Sequence, residues 1–221
     1  MSKSKGLTRE EVEKLRRDYK GKGIEKESVY DDPLKQFEEW FQVAVESDLI
    51  DSNAMTLATA DAQGRPSSRV VLLKGYDERG FVFYTNYKSR KSEELDKNPH
   101  ASMCFYWKEF ERQIRIRGQV ERLPYEESKS YFDTRPRDSQ IGAWASIQSD
   151  VVKNRAELES NYKKYKEQFE GQKVPLPEFW GGYVLKPAVY EFWQGRPSRM
   201  HDRLEYIKNE DGQWEIRRLS P

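Results

Sequence analysis

The segment from Glu191 to Arg203 carries the side chains most suggestive of chemistry, in the order Glu-Phe-Trp-Gln-Gly-Arg-Pro-Ser-Arg-Met-His-Asp-Arg. If its last part is a β-strand, successive side chains alternate between two faces, so Arg199, His201 and Arg203 share one face. Asp202 then points to the other face. Two cations beside an imidazole repel one another unless an anionic or electron-rich ligand lies among them. The segment therefore indicates a ligand site, and the alternative is an exposed strand whose arginines are solvated.

A second candidate is the apolar stretch from Ser68 to Lys74, which has a cation near each end. Arg69 and Lys74 are five positions apart, and in a regular strand an odd spacing points two side chains to opposite faces. They could therefore serve two different anionic groups. The alternative is a pair of ordinary strand-end side chains, whose aliphatic stems pack while their charges reach water.

A third group combines a phenol, a guanidinium and an aliphatic hydroxyl. Tyr131 and Arg135 are four residues apart, so they share one face if the segment is helical. Pro136 ends or kinks that helix, and Ser139 can then fold back toward the pair. Such a donor set suits a phosphate, whereas the alternative is an ordinary surface contact between neighbouring helical turns.

The fourth candidate, residues 89–92, opens a short predicted helix with the sequence Ser-Arg-Lys-Ser. Free backbone amides at a helix start, together with Arg90 and Lys91, form an anion site; the alternative is a solvated basic run. Gln148 and Ser149 precede a longer predicted helix and could add donors, unless they only cap it. Several anion sites in one chain suggest a phosphorylated cofactor and a phosphorylated substrate.

The composition excludes several classes of protein. Among 221 residues, 39 basic and 38 acidic side chains nearly cancel, and 13% of residues are aromatic, so we expect a polar but folded chain. No stretch approaches about 18 uninterrupted apolar residues, and no apolar run follows the basic N-terminus, so neither a transmembrane helix nor a secretory signal is predicted. A near-neutral charge argues against a dedicated nucleic-acid binder.

Cysteine and histidine are scarce. Cys104 is the single cysteine and cannot form an internal disulfide, which fits a reducing compartment, so we expect a cytoplasmic protein. One cysteine and two histidines are too few for a conventional Cys/His zinc site, and we expect no metal.

The elements that position these residues begin with a charged N-terminal region. Thr8 and Glu11 predict a capping box that opens a helix carrying Arg16 and Tyr19. We expect residues 1–25 to form a mobile arm that contains this short helix.

From residue 54 onward the apolar pattern changes to the period of β-strands. Strands are predicted over residues 55–60, 67–76, 81–86, 101–107, 112–123, 183–193, 200–208 and 214–219. Helices are predicted near residues 89–97 and over most of 124–170, where Asp150 caps the longer one. Consecutive strands joined by tight turns pair antiparallel. We therefore predict a β-barrel with peripheral helices, of the α+β or mainly β class, as a single domain over residues 26–221.

Taken together, these segments resemble the pyridoxine (pyridoxamine) 5′-phosphate oxidase family, over roughly residue 10 to the end of the chain. The matching stretches are residues 69–74, 83–86 with 89–91, 111–113, 130–144, 179–182 and 191–203. The last of these, Phe-Trp-Gln-Gly-x-x-x-Arg-x-His-Asp-Arg, is the most specific.

The resemblance implies an antiparallel FMN-binding split barrel that acts as a homodimer, with the flavin at the subunit interface. It also implies the activity, which belongs to vitamin B6 biosynthesis and salvage. Pyridoxine 5′-phosphate and pyridoxamine 5′-phosphate are oxidised at C4′ to pyridoxal 5′-phosphate, and O2 reoxidises the flavin to give H2O2.

The same resemblance implies site residues by position. Those implied to contact FMN are Arg69, Tyr84, Thr85, Arg90, Lys91, Gln113, Gln148, Ser149, Trp193 and Arg203. Those implied to surround the substrate phosphate are Lys74, Tyr131, Arg135 and Ser139. Arg199 and His201 are implied near the substrate ring as the catalytic pair, with Arg16, Tyr19 and Asp51 as further substrate contacts.

Three other functions are weighed against the oxidase. The first is a non-catalytic carrier of a flavin or phosphorylated ligand on the same barrel, which would have no need of Arg199 and His201. The second is a split-barrel flavin oxidoreductase with another substrate. The predicted phosphate-binding group of Tyr131, Arg135 and Ser139 argues against it. The third is a nucleic-acid binder, which local balance between basic and acidic residues disfavours.

Overall fold

One antiparallel sheet of nine strands organises the protein in the computed structural model, which describes residues 6–15 and 17–221. The strands are β1 (Ala54–Ala60), β2 (Pro66–Leu72), β3 (Gly75–Asp77), β4 (Gly80–Asn86), β5 (His100–Trp107), β6 (Arg112–Arg122), β7 (Trp180–Gln194), β8 (Asp202–Lys208) and β9 (Trp214–Leu219). Their order is β2-β1-β5-β6-β7-β4-β3, with β8 added to β7 and β9 added to β8.

Six α-helices surround the sheet in the described part of the chain. They are α1 (Arg9–Glu13), α2 (Pro33–Glu46), α3 (Arg90–Lys97), α4 (Tyr125–Thr134), α5 (Arg137–Ala145) and α6 (Arg155–Gln168). Two short 3₁₀ turns lie at Lys26–Ser28 and Pro197–Arg199. None of the helices described is long and apolar enough to cross a membrane.

One face of the sheet carries many aromatic side chains, and α2 packs against them. The carboxylate of Asp32 accepts a hydrogen bond from the backbone amide of Leu34 (2.9 Å), and a proline follows it at the first helical position, which together start α2. From α2, Phe37 is fully buried and its ring meets that of Phe81 edge-on at 4.8 Å. This packing fixes the sheet that carries the site.

β7 is the longest strand and pairs with three others. Its first part pairs with β4, most of its length with β6, and its last part with β8. The register with β6 shifts between Arg117 and Gly118. A side chain at Gly118 would collide with the carbonyl of Lys186, so this bulge requires glycine.

The helices α4, α5 and α6 gather at one end of the sheet around a smaller core of Phe132, Ile141, Phe169, Val174 and Trp180. The predicted helical region 124–170 is three helices rather than two. Pro136 separates α4 from α5, and the irregular residues 146–154 precede α6. Asn154, not Asp150, caps α6, because its side chain accepts a hydrogen bond from the amide of Glu157 (3.1 Å).

The N-terminal segment lies along the sheet. The Glu111 carboxylate accepts hydrogen bonds from the backbone amides of Lys20 (2.7 Å) and Gly21 (2.9 Å). The Asp202 carboxylate accepts one from Ile24 (3.2 Å). The predicted helix over this region is shorter than expected: α1 ends before Tyr19, and Arg16 lies outside the described residues.

Candidate functional site

A cavity of about 970 Å³ opens between β2, β4, the start of α3 and the α4–α5 pair. Five cationic side chains line it, and no carboxylate does so among the described residues. The cations are Arg69, Lys74, Arg90, Lys91 and Arg135. Such a lining attracts anions and suits phosphate groups in particular.

Lys91 is the centre of the first polar group in this cavity. It lies in the first turn of α3, and its Nζ donates hydrogen bonds to Gln148 Oε1 (2.7 Å), Thr85 Oγ1 (2.9 Å) and Ser89 Oγ (3.2 Å). Burial, together with the nearby charge of Arg69, lowers the pKa of Lys91 to about 8. An anion beside this ammonium would favour its charged form.

The start of α3 adds backbone donors to that group. The amide of Arg90 donates to Ser149 Oγ (3.3 Å), and Ser149 adopts a positive φ of 77°. Helix-start amides beside two cations form a site for a phosphate. The structure therefore brings together Thr85, Arg90, Lys91, Gln148 and Ser149, five of the residues that the resemblance implies as FMN contacts.

Arg69 approaches the same cavity from β2. Its Nη1 donates to Thr59 Oγ1 (2.6 Å) and to the carbonyl of Leu57 (3.2 Å), and its Nη2 donates to Ser67 Oγ (2.5 Å). The expectation that Arg69 and Lys74 serve separate faces is not met. β2 ends at Leu72, so strand alternation does not extend to Lys74, and both residues line the one cavity.

Arg135 dominates a second polar group. Its guanidinium lies 4.6 Å from the ring of Trp180, and its Nη1 is buried without a hydrogen-bond partner. Burial lowers the pKa of Arg135. An unpaired buried N–H is costly, so this atom indicates that a ligand atom belongs beside it.

Aromatic rings form the wall next to Arg135. Tyr131 stacks on Tyr84 with ring centroids 3.9 Å apart, and Tyr84 lies parallel to Trp180 at 5.4 Å. Burial raises the pKa of Tyr84 to about 12, so its hydroxyl stays neutral. Ser139 also lines this cavity. The predicted helical pairing is only partly right, because α4 ends at Thr134 and Arg135 has extended backbone angles.

Three of the implied FMN contacts lie elsewhere. Gln113, Trp193 and Arg203 are register partners on β6, β7 and β8, and they form one row across the sheet. None of them lines the cavity.

Arg203 in that row is held by Glu191, to which it donates two hydrogen bonds of 3.0 and 3.1 Å. Burial opposes the ionisation of Glu191, but hydrogen bonds from Arg203 and Arg115 outweigh it and lower its pKa. Glu191 thus fixes the orientation of Arg203.

His201 and Arg199 line a second cavity, of about 760 Å³. The ring of Tyr19 meets those of His201 (5.3 Å) and Trp193 (5.6 Å) edge-on. His201 Nδ1 accepts a hydrogen bond from the amide of Arg196 (3.1 Å), so the neutral imidazole carries its proton on Nε2.

The expectation that Arg199, His201 and Arg203 share a strand face is wrong. β8 begins only at Asp202, and Ser198 and Arg199 have positive φ values of 56° and 61° in the preceding turn. Asp202 instead contacts Arg196 and the N-terminal segment.

One implied substrate residue lines neither cavity: Asp51 lies in the turn before β1 with a φ of 53°. Arg16, another implied substrate contact, lies outside the described residues. Sequence reasoning also missed Trp180 and Glu94. Glu94 follows Lys91 by three positions, a spacing that places both on one side of a helix.

Comparisons with known proteins agree with this architecture. The family model described as "Pyridoxamine 5'-phosphate oxidase" matches residues 41–169, and that of the "Pyridoxine 5'-phosphate oxidase C-terminal dimerisation region" matches residues 180–221. The chain is 53% identical over 209 residues to a pyridoxine/pyridoxamine 5′-phosphate oxidase of Salinibacter ruber, covering 94% of this chain and 97% of that one. It is 54% identical over 207 residues to the protein of that name from Paraburkholderia phymatum, with the same coverage.

Solved structures confirm the split-barrel fold. PhzG from Burkholderia lata, in complex with tetrahydrophenazine-1-carboxylic acid, superposes with a TM-score of 0.84 at 30% identity, covering 91% of this chain and 99% of that chain. An FMN-binding protein from Nostoc punctiforme related to pyridoxamine 5′-phosphate oxidase has a TM-score of 0.67 at 16% identity, covering 86% and 98%, and supports the fold alone. On sequence, fold and the matched C-terminal region together, the chain belongs to the pyridoxine/pyridoxamine 5′-phosphate oxidase family.

Proposed function

We propose that the protein binds FMN and oxidises pyridoxine 5′-phosphate and pyridoxamine 5′-phosphate to pyridoxal 5′-phosphate, with O2 as the final oxidant, in vitamin B6 biosynthesis. The observation that carries this proposal is the cavity with five cations and no carboxylate among its described lining residues. These cations fall into two groups with separate contacts, one around Lys91 and one around Arg135. Two groups suit a phosphorylated cofactor and a phosphorylated substrate in one cavity.

The first group fits the phosphate of FMN. Arg69, Arg90 and Lys91 supply charge, and Thr85 and Ser149 supply hydroxyls. The depressed pKa of Lys91 supports this assignment, since a phosphate would supply the counter-charge that the ammonium lacks. When bound, FMN would supply the redox chemistry, with a hydride passing from the substrate to the flavin and the electrons then reducing O2 to H2O2.

The second group fits the substrate phosphate. The buried Nη1 of Arg135 has no hydrogen-bond acceptor in the described protein. Lys74, Tyr131 and Ser139 line the same cavity as Arg135. A phosphate oxygen beside Arg135 would satisfy that donor and neutralise its charge. A substrate without a phosphate would leave this donor unpaired and the charge of Arg135 without a counter-charge.

Arg199 and His201 complete the site from the second cavity. The Nε2–H of His201 can donate a hydrogen bond to a polar group of the substrate ring, because its Nδ1 is already occupied by the Arg196 amide. The Arg199 guanidinium adds positive charge on the same wall. Together they orient the ring so that C4′ meets the cofactor.

We infer that two copies of the chain share these parts. The C-terminal region matches a dimerisation region, which supports a homodimer. Gln113, Trp193 and Arg203 form a row away from the cavity of their own chain, and β2 leaves Val70 69% exposed beside that cavity. A second copy packed against this exposed edge would bring its row to the cavity and place FMN at the interface. The N-terminal arm and a cytoplasmic location remain predictions.

Anaerobic mixing of the purified holoprotein with pyridoxine 5′-phosphate tests the proposal. Bleaching of the flavin absorbance with one equivalent of pyridoxal 5′-phosphate formed per flavin would support cofactor, substrate and reaction together. A bound flavin that stays oxidised with both this substrate and pyridoxamine 5′-phosphate would favour a carrier or another substrate. Failure to bind flavin after reconstitution with FMN would overturn the proposal.

A further inference from the structure

Glu94 is a buried carboxylate that lies directly behind the cation-lined cavity. It lies on α3 and is 8% exposed, but it does not line the cavity itself. Its Oε2 accepts hydrogen bonds from Thr59 Oγ1 (2.5 Å) and Ser67 Oγ (2.7 Å). Burial opposes the ionisation of Glu94, but these hydroxyls and the charge of Arg69 outweigh it and lower its pKa, so the carboxylate is charged.

The two hydroxyls also contact Arg69, and the direction of their hydrogen bonds to Arg69 and Glu94 is fixed. Arg69 Nη1 donates to Thr59 Oγ1 (2.6 Å), and Nη2 donates to Ser67 Oγ (2.5 Å). A guanidinium can only donate and a carboxylate can only accept. Each hydroxyl has one proton, so it gives that proton to Glu94 and accepts from Arg69.

These contacts immobilise the guanidinium. Nη1 also donates to the carbonyl of Leu57 (3.2 Å), and Nη2 lies 3.4 Å from Glu94 Oε2. Both terminal nitrogens of Arg69 are therefore engaged inside the protein. Within residues 6–15 and 17–221, nothing accepts from its Nε, which leaves that N–H and the positive charge for a ligand.

We propose that Glu94 is a positioning residue for phosphate recognition, which fixes the Arg69 guanidinium at the cavity wall through Thr59 and Ser67. The inference rests on the proposed function, since the phosphate in question is that of FMN. Glu94 touches no ligand. It holds a cation in place before the ligand arrives, so that binding need not order a flexible arginine.

Titration of the apoprotein with FMN and with riboflavin, followed by flavin fluorescence, isolates the contribution of the phosphate. Glu94→Ala removes the acceptor of both hydroxyls, and the Kd for FMN should rise about tenfold while that for riboflavin changes less than about twofold. Glu94→Gln offers an amide oxygen in the same place, so it should retain most of the FMN affinity. Glu93→Gln is the matched control, because Glu93 is the exposed neighbour on the same helix, and it should change neither Kd.

Three results would overturn the inference. They are unchanged Kd values for both FMN and riboflavin in Glu94→Ala, equal weakening of both ligands with a lower Tm, and tighter FMN binding in Glu94→Gln. The first would show that Glu94 has no role in flavin binding, and the second that its role is structural only. The third would show that its negative charge competes with the FMN phosphate for Arg69.

If Glu94→Ala does not fold, Ser67→Ala is tested in its place. Ser67 lies on the edge strand β2 and carries one of the two hydroxyls that link Glu94 to Arg69. The Kd for FMN should then rise about threefold. An unsubstituted protein that binds no FMN would overturn the proposed function itself. If the unsubstituted protein prefers FMN to riboflavin and the Glu94 and Ser67 variants keep the same preference, this inference alone is overturned.

Discussion

Replacing Arg135 by methionine should weaken substrate binding and stabilise the ligand-free protein at the same time. The side chain is stacked on Trp180, and its Nη1 is buried without a partner. Methionine keeps much of the aliphatic volume but removes the charge and the unpaired donors. The two effects therefore have opposite signs, whereas a general folding defect would weaken binding and lower stability together.

The magnitudes follow from these contacts. One hydrogen bond from the guanidinium to a phosphate contributes about 1.5–3 kcal/mol, so KM for pyridoxine 5′-phosphate should rise roughly 10- to 100-fold. Removing an unpaired buried N–H relieves about 1–3 kcal/mol, and losing the cation–π contact costs about 0.5–2 kcal/mol. The net stabilisation is about 1 kcal/mol, which raises Tm by roughly 2–4 °C for a chain of this size.

Steady-state kinetics of pyridoxal 5′-phosphate formation, flavin content and thermal unfolding of the apoprotein measure all three expectations. Arg137→Met is the matched contrast, because Arg137 donates to the carbonyls of Gln172 (2.8 Å) and Phe169 and has partners for its charge. It should lower Tm and leave KM unchanged. A native KM in Arg135→Met, a lower Tm of its apoprotein, or loss of flavin would refute the reasoning.

Three further predictions concern other parts of the structure. Burial lowers the pKa of Lys91 to about 8, so the Kd for FMN should rise between about pH 7 and about pH 9.5 as Lys91 loses its proton. Lys91→Met should flatten this pH profile, which flavin fluorescence measures. A flat profile in the unsubstituted protein would contradict the prediction. The pKa of the Glu191 carboxylate is held below 4.5, so this group stabilises the fold above that value and ceases to do so as the pH falls through its native pKa. The urea midpoint should therefore fall more steeply with acid in the unsubstituted protein than in Glu191→Gln. Equal pH dependence of the two midpoints would contradict this prediction. Because Glu111 binds the amides of Lys20 and Gly21, trypsin should cleave Glu111→Ala after Lys20 about tenfold faster, and equal rates would show that the segment is held by other contacts.

Much of the sheet could be predicted from the sequence, because the strands alternate and their turns are short. β6 is an example: Ile114 and Ile116 point inward, while Arg115 and Arg117 between them are exposed. The turn before β8 could not be predicted in this way. Ser198 and Arg199 adopt positive φ values that neither residue type favours, so the assumed strand alternation placed Arg199 on a strand face that it does not occupy.

The site shows the same division between local and tertiary information. Tyr131, Arg135 and Ser139 share a short segment, and their grouping follows from spacing. Glu94 lies among charged residues on α3, where its type indicates a solvated helix face; only the contacts with β1 and β2 show that it is buried. The division of the implied FMN contacts between two places depends on β7, whose ends lie far apart.

The length of β7 has a genetic consequence. Trp180 and Trp193 are thirteen positions apart on this strand, which corresponds to about 43 Å of extended chain, several times the reach of a side chain. If each cavity is completed by the other subunit, defects in Arg135 and in His201 fall in different halves of the site. A mixed dimer of Arg135→Met and His201→Leu subunits would then place both defects in one site and leave the other intact. At a substrate concentration well below the KM of Arg135→Met, random mixing of the two impaired proteins should restore about a quarter of the unsubstituted activity. Two such alleles would then complement each other in one cell.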